Sequence, residues 1–331
     1  MLSPSATSLA LLRLLADGDW HSGVRLAERV GVSRAAVCKQ IQGLARWGVA
    51  VQTQRPGGYR LDPPLHLLDR ARLEQELARC DGSPEVLEVF DSLPSTNGYL
   101  TARIAQGESV GVCLAEHQSA GRGRRGRVWQ SPFARNVYLS LAHRYELGPA
   151  ALAGLSLAVG VALAQLITAR GVPGVGLKWP NDLLCDGHKL GGILIELQGE
   201  TQGPCWVVVG VGINVNMQEA DGAAIDQAWT SLARINGEHW DRNVLAAQLT
   251  GAVRRVLARF PDEGLGPWLA AYAQFDTLAD HPVHVDWAGE RLAGVARGVD
   301  ANGALLLECA GRRRPVWGGE VTVRAGFGPP I

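Results

Sequence analysis

The chain has 331 residues, 47% hydrophobic and 19% charged, with a formal net charge of zero. This describes an ordinary globular protein of more than one core, so two or three domains are expected. No apolar run reaches ~18 residues and the first residues lack the basic-then-apolar pattern of an export signal, so a cytoplasmic protein with no membrane partner is expected. Six cysteines (Cys38, Cys80, Cys113, Cys185, Cys205 and Cys309) are scattered without a C-x-x-C pair, which indicates neither a disulfide framework nor a zinc site. Cys185 and His188 have ligand-like spacing, but two ligands in a polar turn are most simply a turn.

The zero charge is an average over two unlike parts. Residues 1–61 carry 8 Lys/Arg against 3 Asp/Glu, net +5, and the remainder carries 24 against 29, net −5. A phosphate-backbone partner is therefore expected for the first part only. Leucines at helical spacing predict a helix from Ser8 to Ala16, a second spans Gly23 to Val30, and Ser33 is placed to cap a third that runs to Trp47. Two short strands, 49–53 and 59–61, flank Gln54-Arg55-Pro56-Gly57-Gly58 and complete a winged helix-turn-helix. Arg34, Lys39 and Gln40 fall in the first two turns of the third helix, where such modules face the major groove; Ser33 and the wing residue Arg55 complete the candidate DNA contacts. A three-helix packing or dimerisation domain shares this pattern, and the surplus of positive charge favours DNA.

Asp62-Pro63-Pro64 is a stiff break and the first expected boundary, giving a unit of residues 1–62. A helix over 69–79 and a strand over 86–90 lead into a unit of residues 63–278. There strand-like and helix-like runs alternate without a strict βαβ repeat, so a mixed sheet backed by helices, an α+β architecture, is expected. Residues 150–170 predict a buried helix, Leu183, Leu184 and 193–197 predict paired strands across Asp186-Gly187-His188-Lys189, and 206–215 predict a further strand. The polar stretch 216–231 has little to bury and is expected to be mobile until covered. In residues 279–331, five short runs (283–287, 292–299, 304–307, 314–317 and 321–323) separated by turn residues predict a small β-barrel.

Four clusters carry the chemistry: Ser95-Thr96-Asn97; Gln118 with the loop Gly121 to Trp129; Lys178-Trp179-Pro180-Asn181-Asp182 followed by Gly187 to Gly192; and Gly210-Val211-Gly212-Ile213-Asn214. The loop holds four arginines among three glycines and closes on Trp129. Glycine lets backbone approach a ligand closely, and guanidinium groups grip phosphate or carboxylate oxygens. A disordered arginine-glycine segment would have the same composition, but this one lies between apolar runs of strand length. Each of the other clusters also has a structural reading: Ser95 as a helix cap, Lys178 and Lys189 as surface charges, Gly212 as a bulge, Asn181 and Asp182 as a turn.

Taken in order, these motifs resemble those of bifunctional biotin protein ligases and biotin operon repressors. The helix SRAAVCKQIQGL with its wing RPGGYRL, then STN, GRGRRGRVW, KWPNDL, GHKLGGIL and GVGIN, cover nearly the whole chain. The resemblance implies a central domain of the biotin/lipoate ligase and class II synthetase-like fold and a C-terminal SH3-like barrel. It implies an enzyme that joins biotin to ATP as biotinyl-5′-adenylate, with Mg²⁺ on the triphosphate, and passes biotin to a lysine of biotin carboxyl carrier protein. It also implies a homodimer that binds operator DNA when the adenylate is bound.

By the same resemblance Ser95, Thr96, Asn97 and Gln118 would bond the ureido ring of biotin. Arg122, Gly123 and Arg124 would lie over biotin and the adenylate, and Lys189 would meet the biotin carboxylate. Arg125, Trp129 and Asn214 would serve ATP. Arg124, Lys189 and Asp182 are the catalytic candidates, Asp182 as acceptor of the proton shed by the attacking lysine. No protein metal site is expected. The segment 216–228, which in the family closes over adenine, is the weakest match: its bulky apolar residues are Met217 and Ile225, and Trp229 stands ready to supply the missing contact. A non-catalytic biotin-sensing transcription factor is the alternative, and a lipoate ligase of related fold a more distant one.

Overall fold

The computed structural model describes residues 5–54, 56–80, 84–200, 202–287, 290–317 and 322–325. Three helices, α1 (Ala6–Leu15), α2 (Gly23–Val30) and α3 (Arg34–Leu44), begin the chain, each opened by a serine, Ser5, Ser22 and Ser33, whose hydroxyl accepts a first-turn N–H. Leu11, Leu15, Leu26, Val37 and Ile41 bury one face of each against the others. The wing strands β1 (Val51–Gln54) and β2 (Gly58–Leu61) follow in antiparallel register. The wing is pinned back by mutual bonds between His21 and Tyr59. Gly58 allows that approach, since a side chain there would start 2.0 Å from the His21 carbonyl. Arg55 lies outside the described residues.

The chain changes core just past Asp62-Pro63-Pro64: Leu65 packs among the first helices and Leu68 among the residues that follow. Those form α4 (Arg70–Cys80), β3 (Leu87–Phe90), α5 (Thr96–Ala105), β4 (Val112–Ala115), β5 (Val137–Tyr145), α6 (Leu155–Ala169), β6 (Val175–Lys178), β7 (Asp182–Cys185), β8 (His188–Gly199), β9 (Cys205–Ile213), α7 (Leu232–Asn236), α8 (Arg242–Glu263) and α9 (Gly266–Phe275). The sheet order is β3-β4-β5-β9-β8-β7-β6. Only β3 and β4 run parallel, so the sheet is mixed. Alternation along β9 decides its two faces: Val207, Val209 and Val211 join the main core, while Val208 packs with Leu100 and Ile104 of α5.

The helix expected over 150–170 starts late. A tight turn over Pro149–Leu152 comes first, then Gly154 at φ +82°, where a side chain would start 2.8 Å from Leu265. One expectation is corrected here: Pro149–Ala169, 21 residues, is long and apolar enough by composition to cross a membrane. It is nevertheless a core helix, with Leu157, Val161 and Leu163 buried within the main core.

The last part forms a five-stranded antiparallel sheet, β10 (Pro282–Trp287), β11 (Glu290–Val299), β12 (Leu305–Cys309), β13 (Arg312–Val316) and β14 (Thr322–Ala325), in the order β13-β12-β11-β10-β14. Val321, expected in the fifth strand, lies outside the described residues. The Trp179 indole N–H donates to the Gly303 carbonyl at 2.9 Å and ties this sheet to the central one.

Candidate active site

A cavity of about 690 Å³ opens on the α5 side of the central sheet. Its floor is made by absences. Ser140, Gly210 and Leu194 lie side by side on β5, β9 and β8, and a side chain on Gly210 would start 2.3 Å from the Asn97 amide oxygen. One step along the same face of β9, a side chain on Gly212 would start 2.7 Å from the Trp129 ring. The glycines of Gly210-Val211-Gly212 thus admit Asn97 and Trp129 onto the sheet, one at each end of the site.

The arginine loop is a closed structure. Trp129 N–H donates to the Gly121 carbonyl at 2.9 Å and Gly123 N–H to the Arg127 carbonyl at 2.7 Å, with a tight turn over Arg124–Gly126 at the tip. Arg125 adopts φ +58° there, a left-handed conformation uncommon away from glycine. Arg122, Gly123, Arg124 and Arg125 line the cavity with Lys178 and Lys189. Burial, and then the neighbouring Arg125 charge, push the Arg124 guanidinium below its ordinary pKa, with Asp182 pulling it back up. Asp182 and Lys189 pair at 2.8 Å, and the Lys189 ammonium stands 5.6 Å from the Trp129 ring centroid. The buried Trp129 indole nitrogen has no hydrogen-bond partner among the described residues.

The opposite end is neutral and polar. Ser95 caps α5 through the Gly98 N–H, and Gln118 Oε1 accepts from both the N–H and the hydroxyl of Thr96. The Asn97 amide donates to the Leu194 carbonyl and to Glu196, and its oxygen accepts from Ser140 at 2.6 Å. A cationic clamp over one end of a cavity and a donor-and-acceptor wall at the other is a site for an uncharged polar ring that continues into anions.

Known proteins are similar to this chain along nearly its whole length. The chain is 44% identical to the Bifunctional ligase/repressor BirA of Salmonella typhimurium, over 98% of this chain and 99% of that protein. The chain belongs to the bifunctional ligase/repressor family. The BirA of Escherichia coli is 43% identical over 98% of this chain and 99% of its own length. Residues 89–214 match the Biotin/lipoate A/B protein ligase family, residues 7–60 an HTH domain and residues 282–324 the Biotin protein ligase C terminal domain. The fold is that of the biotin protein ligase from Aquifex aeolicus in complex with biotin and ATP, at a TM-score of 0.63 and 24% identity, over 73% of this chain and 99% of that one.

Within this family member, the structure gathers every residue expected at the ligand site into the one cavity: Ser95, Thr96, Asn97 and Gln118 at the neutral end, the arginine loop through Trp129 above, and Asp182, Lys189 and Asn214 beside it. The amides of Asn97, Gln118 and Asn214 also bond the protein itself, Asn214 donating to the Lys189 and Thr230 carbonyls, and these bonds orient the three side chains in the cavity lining. Among the DNA candidates Arg34 and Lys39 are exposed, and the Ser33 hydroxyl accepts from Ala36 N–H. Gln40 differs from them: its carbonyl accepts the Ser5 and Ser8 hydroxyls of the first helix.

The stretch 216–231, expected to have little to bury, is fastened down. Met217 is fully buried, and Ser231 donates to its carbonyl. Lys189 N–H and carbonyl pair with the Ala228 carbonyl and Thr230 N–H. Trp229 stacks where a side chain on Gly222 would be, and it lines the cavity. Ser140 and Glu196 were missed; each is a polar residue inside an apolar strand run, VYLSLA and ILIEL, a signal that was present in the sequence.

Proposed function

We propose that this chain makes biotinyl-5′-adenylate from biotin and ATP and transfers the biotinyl group to a lysine of biotin carboxyl carrier protein. A carboxylate oxygen attacks the α-phosphorus and pyrophosphate leaves. The lysine nitrogen then attacks the acyl carbon, AMP leaves, and the amine proton passes to Asp182. The observation that carries this reading is the pairing of a neutral polar wall with an arginine clamp in one cavity. Carboxylate and phosphate, about 4 Å apart, repel by about 4 kcal/mol at an effective dielectric of about 20. Arg122, Arg124 and Lys189 offset that repulsion at the point of attack, and Arg125 and Trp129 serve the nucleotide. The Trp129 indole N–H, which has no partner among the described residues, is a donor that a ligand would satisfy.

Mg²⁺ fits as an escort of the triphosphate. No group of three or more His, Cys, Asp or Glu side chains suited to hold a metal occurs among the described residues, so phosphate oxygens would supply most of its ligands. When bound it neutralises phosphate charge, and the arginine loop does the same from the protein side.

Residues 1–62 act in this reading as the operator-binding unit, 63–278 as the ligase and 279–331 as the C-terminal unit. The adenylate acts as co-repressor for a homodimer whose two winged modules meet two half-sites. Six free cysteines suit a reducing cytoplasm. Incubation with biotin, Mg²⁺ and α-labelled ATP tests the enzymatic half. Labelled biotinyl-adenylate and released pyrophosphate are expected, and neither appears if the site is a sensor alone. Ligand-dependent retention of operator DNA, lost in Arg34→Ala, tests the other half.

A further inference from the structure

Two of the eight histidines, His66 and His239, come together far from each other in the chain. Their ring centroids lie 5.0 Å apart with planes at 47°, the one pair of imidazoles in contact among the described residues. His66 belongs to the segment that joins the two cores just past Asp62-Pro63-Pro64, and His239 to the turn between α7 and α8. Both residues are exposed, and neither ring is hydrogen-bonded among the described residues.

Backbone bonds hold the two rings side by side. Arg242 donates to the His66 carbonyl at 2.7 Å, and Asn243 donates to the Leu67 carbonyl at 3.0 Å and accepts the Asp69 N–H at 2.8 Å. From the other side, Trp240 N–H donates to the Asn216 amide oxygen and the Asn216 amide donates to the Trp240 carbonyl, each at 2.9 Å. The resulting separation is that of two ligands on one ion. A first-row metal stands about 2.0–2.1 Å from an imidazole nitrogen, and so about 3.2 Å from the ring centre. Two such rings are about 5.2 Å apart at a tetrahedral angle and about 4.5 Å apart at a right angle, and the observed distance falls between the two. Exposed rings turn about their last torsion at little cost, so one nitrogen of each can meet a shared ion.

Desolvation, and then the His66, Arg242 and Arg135 charges, lower the His239 pKa, which keeps the ring in the neutral form that binds metal. The two guanidinium groups are themselves neutralised, Arg242 by Glu116 and Arg135 by Asp221. Asp241 is not a third ligand: one of its oxygens caps α8 and the other holds Arg72. Neither histidine lines the ligand cavity.

We propose that His66 and His239 form a two-imidazole site for a first-row transition-metal ion such as Ni²⁺, Cu²⁺ or Zn²⁺, with water in the remaining positions. The ion clasps the connection between the DNA-binding unit and the ligase to the turn before α8. The site does not depend on what the cavity binds. Mg²⁺, a hard ion that takes oxygen ligands, has no affinity for it.

The test is calorimetric titration of the untagged full-length protein with Ni²⁺, a better probe than Zn²⁺ because the half-buried Cys38, Cys80 and Cys309 compete for the softer ion. One equivalent is expected to bind, undisturbed by excess Mg²⁺, with Co²⁺ weaker and Cu²⁺ tighter. His66→Gln and His239→Gln should each weaken it roughly tenfold to a hundredfold, because one imidazole loses the advantage of two. The double variant should be little weaker than either single one, and His284→Gln should bind as the wild type does. Since both rings are exposed, the single variants should melt with the wild-type protein when no metal is present. Amide exchange over residues 65–69 should slow on adding Ni²⁺ to the wild-type protein alone, and chelation by EDTA should reverse it.

Absence of saturable binding, or wild-type affinity in either single variant, overturns the site. Binding that both variants lose, with exchange over residues 65–69 unchanged by the ion, overturns the clasp.

Discussion

Trp47, in the tight turn that follows the third helix of the DNA-binding module, packs its ring edge-on against His117 beside the ligand cavity, with centroids 4.6 Å apart and planes at 76°. The His117 ring also bonds Ser92 through Nδ1 at 2.9 Å and is almost wholly buried. Its chain neighbour Gln118 holds the Thr96 backbone. The two units therefore meet on a residue adjacent to the wall of the site.

Burial pushes the His117 imidazole down to about 4, against an ordinary value of 6.5. The folded protein keeps the ring neutral where the unfolded chain would protonate it. The stabilisation is thus complete above pH ~6.5 and is lost as the pH falls toward 4, by about 3 kcal/mol at most. Denaturant midpoints measured from pH 7 to 4 should fall more steeply for the wild-type protein than for His117→Gln, which cannot titrate. Equal slopes would place the acid sensitivity elsewhere.

The two glycines of the floor make separable predictions. Gly212→Ala starts a methyl 2.7 Å from the Trp129 ring and should raise the KM for ATP about tenfold, with a smaller effect on biotin. Gly210→Ala starts one 2.3 Å from the Asn97 amide oxygen and should do the reverse. Steady-state kinetics with each substrate varied in turn decides the matter; identical profiles for the two variants would mean that the cavity has no such polarity.

Much of this site was legible in the sequence because its parts are local. An arginine-glycine loop between strand-like runs, or glycines inside an apolar strand, keep their meaning when read alone. What was not legible depends on partners far apart in the chain. Nothing near Glu116 indicates that it faces Arg242, and nothing near Gln40 indicates that two serine hydroxyls of the first helix claim it. The stretch 216–231 looked loose because composition counts apolar side chains. It is held by backbone pairing with Lys189 and by one buried methionine, and composition registers neither.

Arg124→Ala tests the clamp. With its guanidinium half-buried above the cavity, removal should lower the rate of adenylate formation about 10²- to 10³-fold while the melting temperature changes little. Rapid-quench measurement of adenylate in a single turnover isolates that step from transfer. A wild-type rate would show that the charge at the point of attack is supplied by other groups.

The fully buried ion pair of Arg242 and Glu116, 2.6 Å apart, is joined to the connection between the two cores. The same guanidinium donates to the His66 carbonyl at 2.7 Å and to the Asn136 carbonyl at 3.1 Å, and the Glu116 carboxylate accepts the Leu68 N–H. Arg242→Met would leave that carboxylate buried without its counter-charge, at a cost of about 3–5 kcal/mol in urea unfolding. Adding Glu116→Gln removes the stranded charge and should recover a large part of the loss, which a double-mutant cycle measures directly. Because His66 and Leu68 are held by this pair, the single variant should also be cut faster by protease in the segment 62–68 than the double variant. Additive losses in the cycle would mean that the two side chains act independently and that the connection is held by the Asn243 bonds to Leu67 and Asp69 instead.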